Sequence, residues 1–381
     1  MNNIYFRNSK HWFKVYATML SKDEKEVKTI RLERKKRDEE KDYVLEFDNN
    51  KYDHVYFHNS LEEKKKTSKI FVGNSTIGCE FKHNKSQKRP LTYLFSKDDK
   101  ITGRVDTYVF KDETNLSYRE DQEKKVNVFI PSSYEGNEEY DILYFFDAQN
   151  QFSPSLKYTT KNDPYGGWQL DVALNSIYHQ YGKKIIVVGI ENADRYRSEE
   201  LFMDHTVFGE LSSLAKGDIP EEVFRKGHLD ELSTFIRETV HPFIKNKYKV
   251  KEDNIGIGGS SMGGITAFYC SLKELGFYKY CLSYSPAYGL YEMSAYDKYF
   301  KTLNFKKNIK ILPKLHIYCG GKDPLEKQLL VASQDMKELL VNHGYKEELI
   351  YETYDLDKVH NEEAWRLILL DSFKFLLGLD K

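Results

Sequence analysis

The chain has 381 residues, and its 58 Lys and Arg side chains balance 59 Asp and Glu side chains to a formal net charge of −1. This balance argues against a basic surface for nucleic acid or for an anionic membrane. Hydrophobic residues make up 40 % of the chain, which is enough for folded cores, and no run of 18 apolar residues predicts a membrane span. The length favours two or three domains.

The N-terminal twenty residues lack a basic stretch followed by an uninterrupted apolar segment, so we expect no signal peptide. The four cysteines, Cys79, Cys270, Cys281 and Cys319, are far apart and form no CxxC pair. This usage favours a reduced, cytoplasmic protein without a structural zinc site.

Residues 1–98 predict a small all-β sandwich. Short segments rich in Val, Ile, Tyr and Phe are separated by polar turns, and they fall at 4–6, 12–20, 42–47, 53–59 and 69–73. Trp12 and Tyr5 are candidates for stacking on sugar rings. The alternative, which we favour, is that these aromatic side chains fill the core of the sandwich.

From residue 99 to residue 381 the pattern changes to strands that alternate with longer helical segments. Apolar strand-like runs lie at 125–131, 141–147, 183–190, 254–259 and 314–321. Helical spacing is found at 168–181, 228–247, 263–275, 327–343 and 361–378. The alternation predicts a second domain with a doubly wound, mostly parallel α/β sheet.

The segment Gly259-Ser260-Ser261-Met262-Gly263 matches the nucleophile-elbow pattern G-x-S-x-G with Ser261 at its centre. A predicted strand precedes it and a predicted helix follows, as the sharp turn of this motif requires. Ser260 cannot take the central position, because Met262 would then stand where the second glycine is needed. Ser261 is therefore the candidate nucleophile.

An elbow serine needs an acid and a histidine later in the chain. Asp323 follows the strand at 314–321, although Asp323-Pro324 equally fits a helix N-cap. His360 is the only histidine in a loop after both partners, just before the last predicted helix. Asp355 and Asp357 are second-choice acids, and both look more like turn residues.

A tetrahedral intermediate needs backbone N–H donors for its oxyanion. We expect one from Met262, directly after the nucleophile. The second is expected from the loop that follows the strand at 141–147, with the N–H of Gln149 or of Ala148 as the donor.

Six segments resemble, in order and approximate spacing, the putative esterase (esterase D-like) family of α/β-hydrolases, which includes feruloyl, acetyl-xylan and enterochelin-type esterases and mycolyltransferases. They are DAQNQF (147–152), GGWQLD (166–171), VVGIENADRYRSEEL (187–201), GGSSMGG (258–264), IYCGGKD (317–323) and HNEEAW (360–365). The resemblance covers roughly residues 101–381 and implies Ser261 as nucleophile, Asp323 as acid and His360 as base. Many relatives carry Glu where this chain has Asp323.

Three further residues are candidates for substrate binding. Arg197 and Glu200 lie past the end of a predicted strand, where α/β proteins bind ligands, and a surface ion-pair cluster is the equal alternative. Trp168 either walls the pocket or packs in the core, and Trp365 is expected in the core. The insertion at 202–227 is expected to shape the pocket.

Together these features predict a serine ester hydrolase that needs no metal or cofactor. By resemblance its partner is a small-molecule or oligosaccharide ester, with acetyl or feruloyl esters of carbohydrates preferred. A siderophore ester is the alternative substrate, and a catalytically idle glycan-binding protein is the alternative of another class. The N-terminal region faintly resembles glycan-binding β-sandwich modules. The sequence leaves open whether the chain forms a homo-oligomer.

Overall fold

The computed structural model describes residues 2–8, 11–21, 23–33, 42–67, 69–72, 77–82, 91–95, 103–111, 116–118, 123–152, 167–213 and 227–379. The chain divides into two compact units. The first includes Met1–Gly103 and Gln169–Lys184, and the second includes Arg104–Pro154 and Ile185–Lys381.

The first unit contains two four-stranded sheets. One consists of β1 (Asn2–Arg7), β4 (Asp42–Phe47), β7 (Ile77–Lys82) and β8 (Leu91–Phe95) in the order β4-β1-β7-β8. The other consists of β2 (Val15–Leu20), β3 (Val27–Leu32), β5 (His54–His58) and β6 (Ile70–Phe71) in the order β3-β2-β5-β6. Apolar residues of both sheets share one core, in which the rings of Phe6 and Phe57 stack at 4.5 Å. Trp12 is buried in this core and is not an exposed sugar platform.

The second unit is built on one eight-stranded sheet. Its strands are β9 (Gly103–Phe110), β10 (Lys124–Pro131), β11 (Tyr140–Phe146), β12 (Ile185–Ile190), β13 (Val250–Ser260), β14 (Tyr280–Tyr284), β15 (Lys314–Gly320) and β16 (Ile350–Asp355). The order is β16-β15-β14-β13-β11-β12-β10-β9. Strands β16 to β12 in that order are parallel, and β10 pairs with β12 antiparallel. The residues of β11 and β12 are buried throughout, as their apolar sequences predict, and those of β14, which is not among the predicted strands, are buried as well.

The helices are α1 (Leu170–Tyr181), α2 (Arg197–Leu201), α3 (His205–Phe208), α4 (Leu229–Phe235 and His241–Lys247, joined by the π-helical residues Ile236–Val240), α5 (Met262–Lys273), α6 (Met293–Leu303), α7 (Pro324–Asn342), α8 (Glu362–Arg366) and α9 (Leu369–Leu377). The segment predicted as one final helix is thus two helices, α8 and α9. The alternation of strands and helices places α1 with the sheet of the second unit, whereas in the structure it lies against β6 and β8 of the first. A mostly parallel α/β sheet after an all-β region confirms the predicted fold class. Among the described helices, none is long and apolar enough to cross a bilayer.

Candidate active site

Parallel strands end at one edge of a sheet, and the candidate residues follow those ends. Asp147 follows β11, Ser261 follows β13, Asp323 comes three residues after β15, and His360 comes five residues after β16. The fold therefore brings segments that are distant in sequence to a common edge, where α/β proteins form their sites.

Ser261 lies at a strained turn between β13 and α5. Its backbone has φ 55° and ψ −119°, a conformation that L-residues rarely adopt. A Cβ atom on Gly259 would lie 2.5 Å from the carbonyl oxygen of Gly263, and one on Gly264 would lie 2.9 Å from that of Tyr284. Backbone contacts thus require glycine at 259, before the serine, and at 264, one residue past the motif, whereas a Cβ on Gly263 would meet side chains at the end of β11 and in the loop after it.

Backbone hydrogen bonds hold this turn against the neighbouring strand. The N–H of Ser261 donates to the carbonyl of Tyr284 at 2.8 Å, and its own carbonyl accepts from the N–H of Ala287 at 3.1 Å. Ser261 is partly exposed, whereas Ser260 is buried at the end of β13. The accessible serine is the one that the motif selects.

The imidazole of His360 is paired with Glu326. Oxygen Oε1 of Glu326 lies 2.7 Å from Nδ1 of His360, and Oε2 accepts from the N–H of Gly320 at 2.7 Å. Glu326 is fully buried, while the imidazole keeps 19 % of its surface exposed. Both oxygens of this carboxylate are thus occupied, which directs one of them at the histidine.

Asp323 does not hydrogen-bond to the imidazole, and the structure corrects the expected pairing. Its Oδ1 accepts from the N–H of Glu326 at 2.9 Å as the N-cap of α7, and its Oδ2 accepts from the backbone N–H of His360 at 3.0 Å. Burial opposes its charge, but these backbone donors hold the pKa of Asp323 below its usual value. The shorter side chain is already bound to main-chain donors, and Glu326, in the first turn of the helix, reaches the ring.

The sequence carried one signal for Glu326. An acidic residue three positions after an N-cap normally turns back to the cap in a capping box. Here Asp323 caps α7, but the side chain of Glu326 points to Gly320 and His360 instead. The alternative reading of Asp323-Pro324 as a helix start is correct, and Glu326 is the carboxylate that pairs with the imidazole.

The loop after β11 forms a short 3-10 helix, Ala148–Asn150, that starts at Asp147 with φ 56°. Asn150 N–H points back to the carbonyl of Asp147. The first N–H groups of a helix, here those of Ala148 and Gln149, have no partner inside it, and the same holds for Met262 at the start of α5. A Cβ on Gly263 would lie 3.0 Å from Oδ2 of Asp147, so this loop adjoins the elbow.

Arg197 holds this loop. Its Nε and Nη2 donate to the two carboxylate oxygens of Asp147 at 2.7 and 2.8 Å, and Asn192 donates to Asp147 at 2.7 Å. Burial opposes the charge of Asp147, but the guanidinium holds the pKa of this carboxyl below its usual value. The side chain of Gln149 pairs with that of Asn192 at 2.9 Å. Arg197 is 28 % exposed, and substrate contact by its free edge stays a prediction.

Burial corrects the prediction that Glu200 binds substrate, and for Trp168 it favours the core position over the pocket wall. Glu200 is fully buried, where it contacts Lys124 and Tyr118 and accepts from the N–H of Ala193 at 2.9 Å. Trp168 keeps 1 % of its surface. Neither side chain has enough exposed surface to contact a substrate in this structure.

Trp168 belongs to a stack of aromatic rings that ends at the histidine. It stacks on Tyr284 and on Trp365, each with 5.2 Å between ring centroids. The rings of Trp365 and His360 meet edge to face, with 5.0 Å between their centroids and 88° between their planes. Nε1 of Trp365 donates to the hydroxyl of Ser285 at 3.0 Å. The predicted core position of Trp365 is correct, and it packs beside the imidazole.

Residues 214–226 of the predicted insertion and residues 153–166 lie outside the described residues. Among the described residues, no group of three or more His, Cys, Asp or Glu side chains is placed to hold a metal ion.

A family model described as "Putative esterase" matches residues 117–376. Among solved structures, the BES protein of Bacillus cereus is similar with 15 % identity and a TM-score of 0.53, covering 74 % of this chain and 99 % of its own. The siderophore hydrolase EstB of Aspergillus nidulans has 16 % identity and a TM-score of 0.51, with 73 % and 96 % covered. The feruloyl esterase module of Clostridium thermocellum, complexed with sinapinate, has 17 % identity and a TM-score of 0.49, with 72 % and 88 % covered.

No curated protein matches the sequence. The structural likenesses, at these identities, show the fold alone. The family model covers well over half of the chain and includes the elbow, the paired histidine and the loop after β11. The chain therefore belongs to the putative esterase family and is an ester hydrolase.

Proposed function

We propose that the protein is a serine carboxyl-ester hydrolase in which Ser261 is the nucleophile, His360 the general base and Glu326 the acid. The observation that carries the proposal is the 2.7 Å hydrogen bond between buried Glu326 and Nδ1 of His360, at the sheet edge where Ser261 forms the elbow. A carboxylate on Nδ1 leaves Nε2 free to accept a proton, which is the tautomer that a serine nucleophile requires.

In the proposed reaction, His360 takes the hydroxyl proton as Ser261 attacks the ester carbonyl. The resulting imidazolium is stabilised by the negative charge of Glu326, and it then protonates the leaving alcohol. Water attacks the acyl-enzyme in a second cycle of the same steps and releases the acid. The backbone N–H of Met262 and that of Gln149 or Ala148 stabilise the oxyanion in both halves.

For the substrate we propose an acyl ester of a carbohydrate, with an acetyl or feruloyl group, on the ground of the family resemblance and of the N-terminal region, which faintly resembles glycan-binding modules. A siderophore ester is the second candidate. It is favoured by the structural likeness to two proteins described as siderophore hydrolases, EstB and EstA of Aspergillus nidulans, each with a TM-score of 0.51. Either substrate would be a small-molecule or oligosaccharide partner, met in the cytoplasm.

The first test is labelling with a fluorophosphonate probe, which needs an activated serine. Wild type and Ser260→Ala are expected to be labelled, and Ser261→Ala is expected to lose labelling and turnover. The assays would use p-nitrophenyl acetate, methyl ferulate, acetylated xylo-oligosaccharide and a catecholate siderophore ester. The best substrate decides between the two candidates. Folded wild type without labelling or turnover would favour the idle glycan-binding alternative and refute the proposal.

A further inference from the structure

We propose that Asp323 is a positioning residue that fixes the main chain of His360, while Glu326 fixes its ring. This inference rests on the proposed function, because it assigns His360 as the base. The juxtaposition behind it is that Asp323 at the N-cap of α7 and Glu326 in its first turn both bind the same histidine, one at the backbone N–H and the other at Nδ1.

The two oxygens of Asp323 have separate tasks. Oδ1 accepts from the N–H of Glu326 at 2.9 Å, which caps α7 and sets the position of the acid. Oδ2 accepts from the N–H of His360 at 3.0 Å, which sets the position of the base. One rigid carboxylate thus spans the two residues whose relative placement decides the catalytic hydrogen bond. Its lowered pKa keeps both oxygens available as acceptors.

The chain on either side of His360 is also held by hydrogen bonds of the neighbouring turns. The carbonyl of Lys358 accepts from the N–H groups of Gly321 and Lys322 at 3.1 and 3.0 Å, so the turn after β15 and the turn after β16 are already joined. After Asn361, which caps α8, the chain is helical again. Between these two anchors, the bond from His360 N–H to Asp323 is the hydrogen bond that holds the main chain of the histidine itself.

Substitutions of Asp323 can separate its N-cap bond from its bond to the His360 N–H. A loss of activity can therefore be distinguished from a loss of helix capping. Ser and Asn are both favourable N-caps and offer one acceptor oxygen each. A variant Asp323→Ser or Asp323→Asn can therefore still cap α7, but it cannot accept from His360 with a second oxygen. Asp323→Ala loses both bonds.

The experiment compares the three variants with wild type in melting temperature, in kcat and KM on the best ester, and in hydrogen exchange of the His360 amide. For the Ser and Asn variants we expect an unchanged melting temperature, faster amide exchange, KM within about twofold and kcat lowered roughly 10- to 100-fold, because small displacements of a catalytic group carry losses of this order. For Asp323→Ala we expect the same kinetic loss together with a melting temperature lower by about 2–4 °C.

Two results would overturn the inference. Unchanged protection of the His360 amide in both capping variants would show that Asp323 does not hold this main chain. Wild-type kcat in a variant with faster amide exchange would show that the position of the main chain is irrelevant to turnover. Failure of the proposed function is seen separately, as turnover or labelling that survives in Ser261→Ala. If one capping variant does not fold, the other decides.

Discussion

At the scale of single residues, Asp323 and Glu326 differ by one methylene group and by their reach. The carboxylate of Asp323 accepts hydrogen bonds from two backbone N–H groups. The carboxylate of Glu326 pairs with the imidazole and accepts from the N–H of Gly320. A group that orients a histidine must present an acceptor to Nδ1, and only the longer side chain does so here. In the proposed triad, Glu326 is therefore chosen over Asp323 by the direction and length of its side chain, not by its chemical type.

Replacing Glu326 by Gln tests this assignment. The amide can still accept from Gly320 with its oxygen, but it then presents its NH₂ group to His360, which favours the tautomer that cannot accept the serine proton. We expect kcat to fall by roughly 10³- to 10⁴-fold with little change in KM. The control is Glu363→Gln, an exposed carboxylate in the first turn of α8. Equal rates for Glu326→Gln and wild type in an ester assay would contradict the assignment.

At the scale of elements, the short 3-10 helix after β11 is joined to three other segments. Asp147 binds Arg197 at the start of α2, Gln149 pairs with Asn192, and Asn150 donates to Glu362 in α8 at 2.6 Å. The first residue of this loop, Asp147, is held at positive φ, which is costly for most side chains and less so for Asp and Asn. The ion pair offsets that cost and keeps the candidate oxyanion donors in place.

Replacing Arg197 by Lys removes the bidentate hydrogen bonding to Asp147 and keeps the positive charge. We expect kcat to fall about 10-fold because the loop after β11 loses one of its two hydrogen bonds to α2, with a smaller change in KM. Steady-state kinetics on a p-nitrophenyl ester measures both constants. The matched control is Arg195→Lys, since Arg195 is exposed and contacts the ring and hydroxyl of Tyr196. A loss of the same size in both variants would show that the ion pair with Asp147 is not responsible.

At the scale of the whole molecule, two histidines in the core of the second unit make its stability depend on pH. Burial lowers the pKa of His316 to about 3 and that of His241 to about 4, from an ordinary value of 6.5. His316 lies between the hydroxyls of Ser372 and Thr353 at 2.6 and 2.7 Å, and His241 Nδ1 lies 2.9 Å from the hydroxyl of Tyr144. Between about pH 4 and pH 6.5, both imidazoles therefore stay neutral in the folded protein, whereas they are protonated in the unfolded chain.

The unfolded chain thus binds more protons than the folded chain below pH 6.5, and the free energy of unfolding falls as the pH decreases toward 4. Each histidine contributes a slope of about 1.4 kcal/mol per pH unit well below pH 6.5. Urea unfolding followed by tryptophan fluorescence between pH 7.5 and pH 4.5 measures this slope. His316→Gln is expected to lower the slope of the unfolding free energy against pH by about the contribution of one histidine. An NMR titration in which His316 becomes protonated between pH 7 and pH 5 would contradict the prediction.

What the sequence by itself determined is local. The elbow is encoded in five consecutive residues, because the glycines at 259 and 263 are needed wherever a strand turns sharply into a helix around a serine. The continuous apolar strands and the helical segments between them likewise follow from spacing within short windows, and they predict a mostly parallel α/β sheet. The N-cap at Asp323 could be read in the same way.

What only the tertiary structure decided depends on direction and burial. Glu326 and His360 are 34 positions apart, and their contact follows from the turn in which β15 enters α7. Glu200 and Trp168 look polar or aromatic enough for a pocket, yet the packing of Lys124, Tyr284 and Trp365 around them removes their surface from solvent. Residue types and order along the chain do not specify which side chain points at which, because that is set by elements that meet only in the folded protein.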